Sequence, residues 1–346
     1  MPDQAERLRE LVKEKKLEFF NLTEEEKFAL EKNLGKNKKI VISASVLDRE
    51  KLKLLVVSPD KESYPEKVVS HFAKSITVTS GKGGVGKTNF VLNLGILLSS
   101  YGKRVLILDA DLGLANVDIL LGITPKYNLS DVVFGSKKIR DILIKGPEDI
   151  TIIPSASGIL EMAELEEKQR KKLFSELSLL EEDYDIMLVD TGAGLNENVL
   201  SFVLPSDEVI IITTPESTAI TDAYSMIKVI IQHKRDIKIN LLVNMASSQE
   251  EAEEVIKRMT EVVKRFLNFK IDYLGYILKD KNVPNAVKIQ QPFVRSYPYT
   301  SATRCLKDIA ARINIESFGG GSFEIKEGRV SRIKGFFRRM SGIFYK

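Results

Sequence analysis

The stretch Gly81-Lys82-Gly83-Gly84-Val85-Gly86-Lys87-Thr88 limits what this chain can fold into more than any other. It follows Ile76-Thr77-Val78-Thr79, whose alternating β-branched residues predict a buried strand, and it opens an apolar run from Asn89 to Leu98 that predicts a buried helix. The glycines at 81, 83, 84 and 86 let successive backbone N–H groups and the helix N-terminus converge on one anion, with no Cβ in the way. In such a loop Lys87 reaches the β- and γ-phosphates of a nucleotide, and the Thr88 hydroxyl ligates Mg²⁺. A glycine-rich turn with a chance lysine is the bland alternative, and the strand-to-helix context weighs against it. Lys82 is not demanded by this chemistry; taken alone, it reads as a solvated loop lysine.

Two further apolar runs end in carboxylates. Arg104-Val105-Leu106-Ile107-Leu108-Asp109 leads into Ala110-Asp111, so two aspartates one residue apart can face a Mg²⁺-nucleotide without being the same ligand. Tyr184-Asp185-Ile186-Met187-Leu188-Val189-Asp190 leads into Thr191-Gly192-Ala193-Gly194. That is the form of a strand whose terminal aspartate holds the Mg²⁺ shell and whose flexible Gly192 backbone reaches the γ-phosphate. Carboxylates that only cap their loops are the structural alternative for Asp111 and Asp190. Asn244 closes a similar run, a position where asparagine also serves as a turn residue.

Around these motifs strand and helix patterns alternate. Strands are predicted at 76–80, 104–109, 150–153, 185–190, 208–213, 238–244 and 271–277, and helices at 88–101, 116–121, 159–181, 195–204, 217–232, 248–267, 283–290 and 300–314. The alternation implies an α/β fold with a mostly parallel, doubly wound sheet over 71–316, covered on both faces, with ligands beyond the carboxyl ends of its strands. Residues 3–20 predict a short amphipathic helix with a capping-box-like start at Asp3 and Glu6. In the 21–70 extension, 39–46 and 52–57 are consistent with a hairpin, and nothing assigns the extension a function. Residues 317–322, Ser-Phe-Gly-Gly-Gly-Ser, predict a flexible linker.

The net charge of +4 is local in origin. Residues 329–346 hold six Lys or Arg and no acid, which leaves 46 basic against 48 acidic residues elsewhere. A diffuse nucleic-acid-binding surface is therefore not expected. In the 323–346 tail Val330, Ile333, Phe336, Phe337, Met340, Ile343 and Phe344 recur at three- and four-residue intervals among those cations. The pattern fits an amphipathic helix that binds the surface of an anionic membrane; packing on the core or on a partner protein is the alternative. The single cysteine, Cys305, excludes an internal disulfide and a Cys-x-x-Cys metal site. With no signal sequence and no run near the roughly 18 apolar residues of a membrane span, the expected location is the cytoplasm, peripheral to the inner face of the cell membrane.

With Lys82 added to the phosphate loop, the sequence resembles the MinD/ParA family of dimeric P-loop ATPases. The resemblance implies ATP and Mg²⁺ as ligands, an ATP-dependent homodimer, and hydrolysis of ATP. It implies that Lys82 crosses the dimer to the partner's phosphates, that Asp109 assists Mg²⁺ through water and that Asp111 orients the attacking water. Asn116 would lie in a moving switch segment and Asn244 would read the adenine base, with the segment around Pro284 lining it. Asp3-Gln4-Ala5-Glu6-Arg7-Leu8-Arg9 is similar to the N-terminal motif of the family's FlhG branch, also called YlxH or FleN, which regulates flagellar number and placement. In that branch the motif activates FlhF, a GTPase of the signal-recognition-particle type, so FlhF and flagellar basal-body components are the partners implied. Glycine at position 192, where many family members have proline, is common in this branch. A division-site MinD, a DNA-segregating ParA and a non-hydrolysing nucleotide scaffold are the other readings.

Overall fold

Every side chain of Val105–Ala110 is buried, which a strand achieves only when both faces of its sheet are covered. Val105 and Ile107 join one apolar cluster with Leu94 and Leu98, while Leu106 and Leu108 join another with Leu173, Phe174 and Leu177. Alternation along a strand sends successive side chains to opposite faces, so helices must lie on each. The computed structural model describes residues 73–111, 117–154, 166–180, 182–318 and 335–344, all within one unit spanning 71–346.

The elements are β1 (Lys74–Ser80), α1 (Lys87–Ser100), β2 (Val105–Ala110), α2 (Val117–Leu121), α3 (Leu129–Val133), β3 (Ile144–Lys145), β4 (Thr151–Ile153), α4 (Glu167–Leu180), β5 (Ile186–Ala193), α5 (Glu197–Val203), β6 (Glu208–Thr213), α6 (Ser217–His233), β7 (Lys238–Ala246), α7 (Gln249–Leu267), β8 (Asp272–Leu278), α8 (Asn282–Lys288), α9 (Phe293–Ser296), α10 (Ser301–Phe318) and α11 (Phe336–Phe344). The sheet order is β3-β4-β2-β5-β1-β6-β7-β8, and only the β3–β4 pair is antiparallel. Strand β1 therefore lies between β5 and β6, and its carboxyl end carries the glycine loop into α1. Local chemistry sets the helix limits. In α7 the Ser248 side chain accepts from Glu251 N, acids occupy the first turn, Lys264 and Arg265 the last, and Asn268 closes the helix at φ 46°.

All seven expected strands are present. Sequence patterning missed β3, too short to show alternation, and α3, a five-residue helix fixed by the capping box of Asn128 and Asp131. Helix α10 runs through Ser317 and Phe318, so these two residues are helical rather than linker. The 3–9 motif, the 39–57 hairpin, Asn116, the first residues of the 159–181 helix, and 319–334 of the linker and tail lie outside the described residues. Among the described residues no helix is long and apolar enough to cross a membrane.

The tail is helical at α11, and of the two expectations for its apolar face the structure shows core packing. Phe336, Phe337 and Met340 are each 1% exposed or less and pack with Leu173, Phe174, Leu177 and Phe202. The missing acid is supplied from elsewhere in the chain: Arg339 pairs with Asp207 at 3.0 Å and donates to Pro205 O and Ser75 Oγ.

Candidate functional site

The phosphate loop is shaped by backbone demands that only some of its glycines meet. Gly84 and Gly86 stand at φ 76° and 93°, the left-handed region where a side chain is strained. Gly81 is required for another reason: a Cβ there would stand 2.4 Å from the Asp222 carbonyl, so α6 packs directly on the loop. At Gly83 an added Cβ meets nothing. Val85 is buried beneath the loop, and Thr88 and Asn89 are half-buried on the first turn of α1.

Lys87 points inward, with its Nζ 3.1 Å from Ser80 Oγ. Burial pushes its ammonium below the ordinary lysine range, opposed by the charges of Asp190 and Asp111. Ser80 also donates to Lys82 O at 2.7 Å, so its hydroxyl braces both lysines' segments; sequence reasoning missed it because nothing but its place before Gly81 marks it.

Strand register brings the carboxylates together. Asp109 and Asp190 are paired across β2 and β5. Asp109 is engaged at both oxygens, accepting from Asp111 N at 3.2 Å and from Val117 N at 3.3 Å. Asp190 is the opposite case: it is 0% exposed and neither carboxylate oxygen completes a hydrogen bond. Its carboxyl is pushed up to about 7, chiefly by burial and further by Asp109 and Asp111, with Thr88 and Lys87 offsetting only part. Gly192 lies against Asp111, since a Cβ at 192 would be 3.4 Å from Asp111 Oδ1.

A buried carboxylate that completes no hydrogen bond, beside a threonine hydroxyl and a second aspartate, fits a hard divalent cation. Among the described residues no group of three His, Cys, Asp or Glu forms a cage. Mg²⁺ needs none, because it keeps several waters and shares the phosphate oxygens of its nucleotide. Thr88 and Asp190 are the residues that would hold it, with Asp109 beside them.

Asn244 is 8% exposed and its Nδ2 donates to Val85 O at 2.7 Å, while its Oδ1 accepts from Met245 N. The amide thus braces the phosphate loop, with Nδ2 hydrogen-bonding capacity left for a base. Met245, next to it, stands at φ 58°. Pro284 lies in α8. Lys82 turns away from the loop's centre: its Nζ reaches Glu216 at 2.5 Å and Thr218 at 3.1 Å, two residues that no motif singled out.

A family model described as an AAA domain matches residues 73–243. The antiactivator FleN of Pseudomonas aeruginosa is 41% identical over 244 residues, which are 70% of this chain and 87% of that protein. The flagellum site-determining protein YlxH of Helicobacter pylori is 32% identical over 269 residues, 77% of this chain and 89% of that protein. Among solved structures, the septum site-determining protein MinD of Pyrococcus horikoshii, complexed with Mg-ADP, superposes with a TM-score of 0.58 at 25% identity, covering 71% of this chain and 98% of that one.

Proposed function

Because this chain belongs to the MinD/ParA family of P-loop ATPases, in its FlhG branch, we propose that it is an ATP-hydrolysing, dimerising switch that sets the number and placement of flagella. The observation that supports this most is the convergence of Lys87, Thr88, Asp109, Asp111 and the unpartnered Asp190 at the ends of three adjacent strands. Bound Mg²⁺, held by Thr88 and Asp190, would supply positive charge to the phosphates of the nucleotide. Asp190 must release its proton to take the metal, which its burial makes easy only near neutral pH and above. Asp111 orients a water toward the γ-phosphorus. Lys87, and Lys82 of the partner subunit, neutralise the charge that spreads over the phosphoryl oxygens as the bond to ADP breaks.

Residues 3–9 would activate FlhF, a reading carried by their sequence alone. The tail, 323–346, would bind anionic lipid. The docking of Phe336, Phe337 and Met340 supports a conditional form of that binding, in which the helix must first leave the core. Asp111→Ala should bind ATP, dimerise by light scattering and fail to turn over; hydrolysis at the parent rate would refute the assigned mechanism. Full-length protein should co-sediment with anionic vesicles in ATP more than in ADP, and binding to neutral vesicles that ignores salt would refute the electrostatic part.

A further inference from the structure

Lys82 has a partner within its own subunit. Its Nζ donates to Glu216 Oε2 at 2.5 Å and to Thr218 Oγ1 at 3.1 Å. Glu216 occupies the N-cap position of α6, where a side chain ordinarily accepts from the helix's first free N–H groups. Here it makes no such bond and is given to the lysine instead. The hydrogen bond and charge of Lys82 hold the Glu216 carboxyl below the usual carboxylate range. The pairing is also enforced by packing, because the approach of Gly81 to the Asp222 backbone fixes the base of Lys82 beside the start of α6.

We infer that Glu216 and Thr218 form a cis rest for Lys82, which the lysine must vacate before it can reach the phosphates of a second subunit. This rests on the trans role of Lys82 given above. One ammonium cannot serve both places, so the resting pair removes part of the population competent to close the dimer and raises the concentration needed for closure. With side chains 39% and 66% exposed, the pair is a weak hold that lets go readily. Thr218 adds direction by occupying a second donor hydrogen of the same ammonium.

The test uses the full-length protein. In the ADP-bound state, trace labelling with acetic anhydride followed by peptide mass spectrometry reads the reactivity of Lys82 against the exposed Lys257. Glu216→Gln should raise Lys82 labelling about two- to five-fold, the scale of an exposed ion pair, and Thr218→Val by less. With ATP, light scattering should show Glu216→Gln dimerising at a protein concentration lower by a similar factor, while ADP affinity confirms that the phosphate loop is intact. Unchanged Lys82 labelling in Glu216→Gln overturns the cis rest, and dimerisation that is unchanged or weaker overturns its gating role. Lys82→Ala separates the two levels: if that variant closes a normal ATP dimer, the trans role and the gate built on it fall, while the labelling result still judges the rest itself.

Discussion

Two buried acids stand toward opposite strand ends of the same sheet and have opposite surroundings. Glu208, at the amino end of β6, is 3% exposed and fully answered: Lys74 approaches to 2.6 Å, Lys238 to 3.3 Å, and the Asn240 amide donates to it. Asp190, at the carboxyl end of β5, is 0% exposed and answered by nothing that completes a hydrogen bond. A fold can use an acid of the first kind as a clasp, because charge and hydrogen bonds offset the desolvation. An acid of the second kind costs stability until a cation arrives, and it persists where chemistry needs it. The contrast separates the structural, amino-end side of the sheet from the reactive, carboxyl-end side.

The comparison breaks most visibly at the carboxyl ends of the strands. Lys87→Ala should lower ATP affinity by about 10³-fold in a fluorescent-nucleotide titration, since a desolvated phosphate cation is lost. Next in size is the pH dependence of Asp190. Its folded pKa of about 7 exceeds the ordinary carboxyl value of 3.8, so the folded state holds an extra proton between them. The stabilisation is complete below about pH 4 and is lost as pH rises through about 7. In chelator and without nucleotide, Asp190→Asn should therefore match the parent at pH 4 and exceed it at pH 8, by of the order of 2 to 4 kcal/mol in urea unfolding. An advantage that did not grow with pH would contradict the account of Asp190 as an uncompensated charge. The smallest effect belongs to the clasp: Glu208→Ala should cost about 2 kcal/mol, because Lys74 and Lys238 are part-exposed and recover water, and ATP affinity should stay within about two-fold.

Most of this was legible in the chain because buried parallel strands write themselves as continuous apolar runs, and their terminal aspartates and glycine loop fall where the topology gathers ligands. Asp109, Asp190, Lys87 and Thr88 were all read from such positions. Ser80, Glu216 and Asp222 were not, since each acts through an approach between residues 7 to 141 positions apart that leaves no local periodicity. The tail shows the other limit. Its amphipathic pattern told which face seeks an apolar surface and nothing about which surface it finds; Asp207, far away in sequence, supplied the acid that residues 329–346 lack.

That docking makes the tail a helix with two competing solvents. Phe336, Phe337 and Met340 already rest in a protein interior as apolar as a bilayer, and burying three such side chains is worth roughly 5 to 9 kcal/mol in transfer terms. Moving them into lipid gains little, because they exchange one oil-like medium for another and leave Leu173, Phe174, Leu177 and Phe202 facing water. The apolar face of a single subunit thus gives almost no net drive toward a membrane, whatever its hydrophobicity, and only the tail's cations still favour an anionic surface. Partition must be settled by whatever lowers the value of the protein floor or joins two tails into one event.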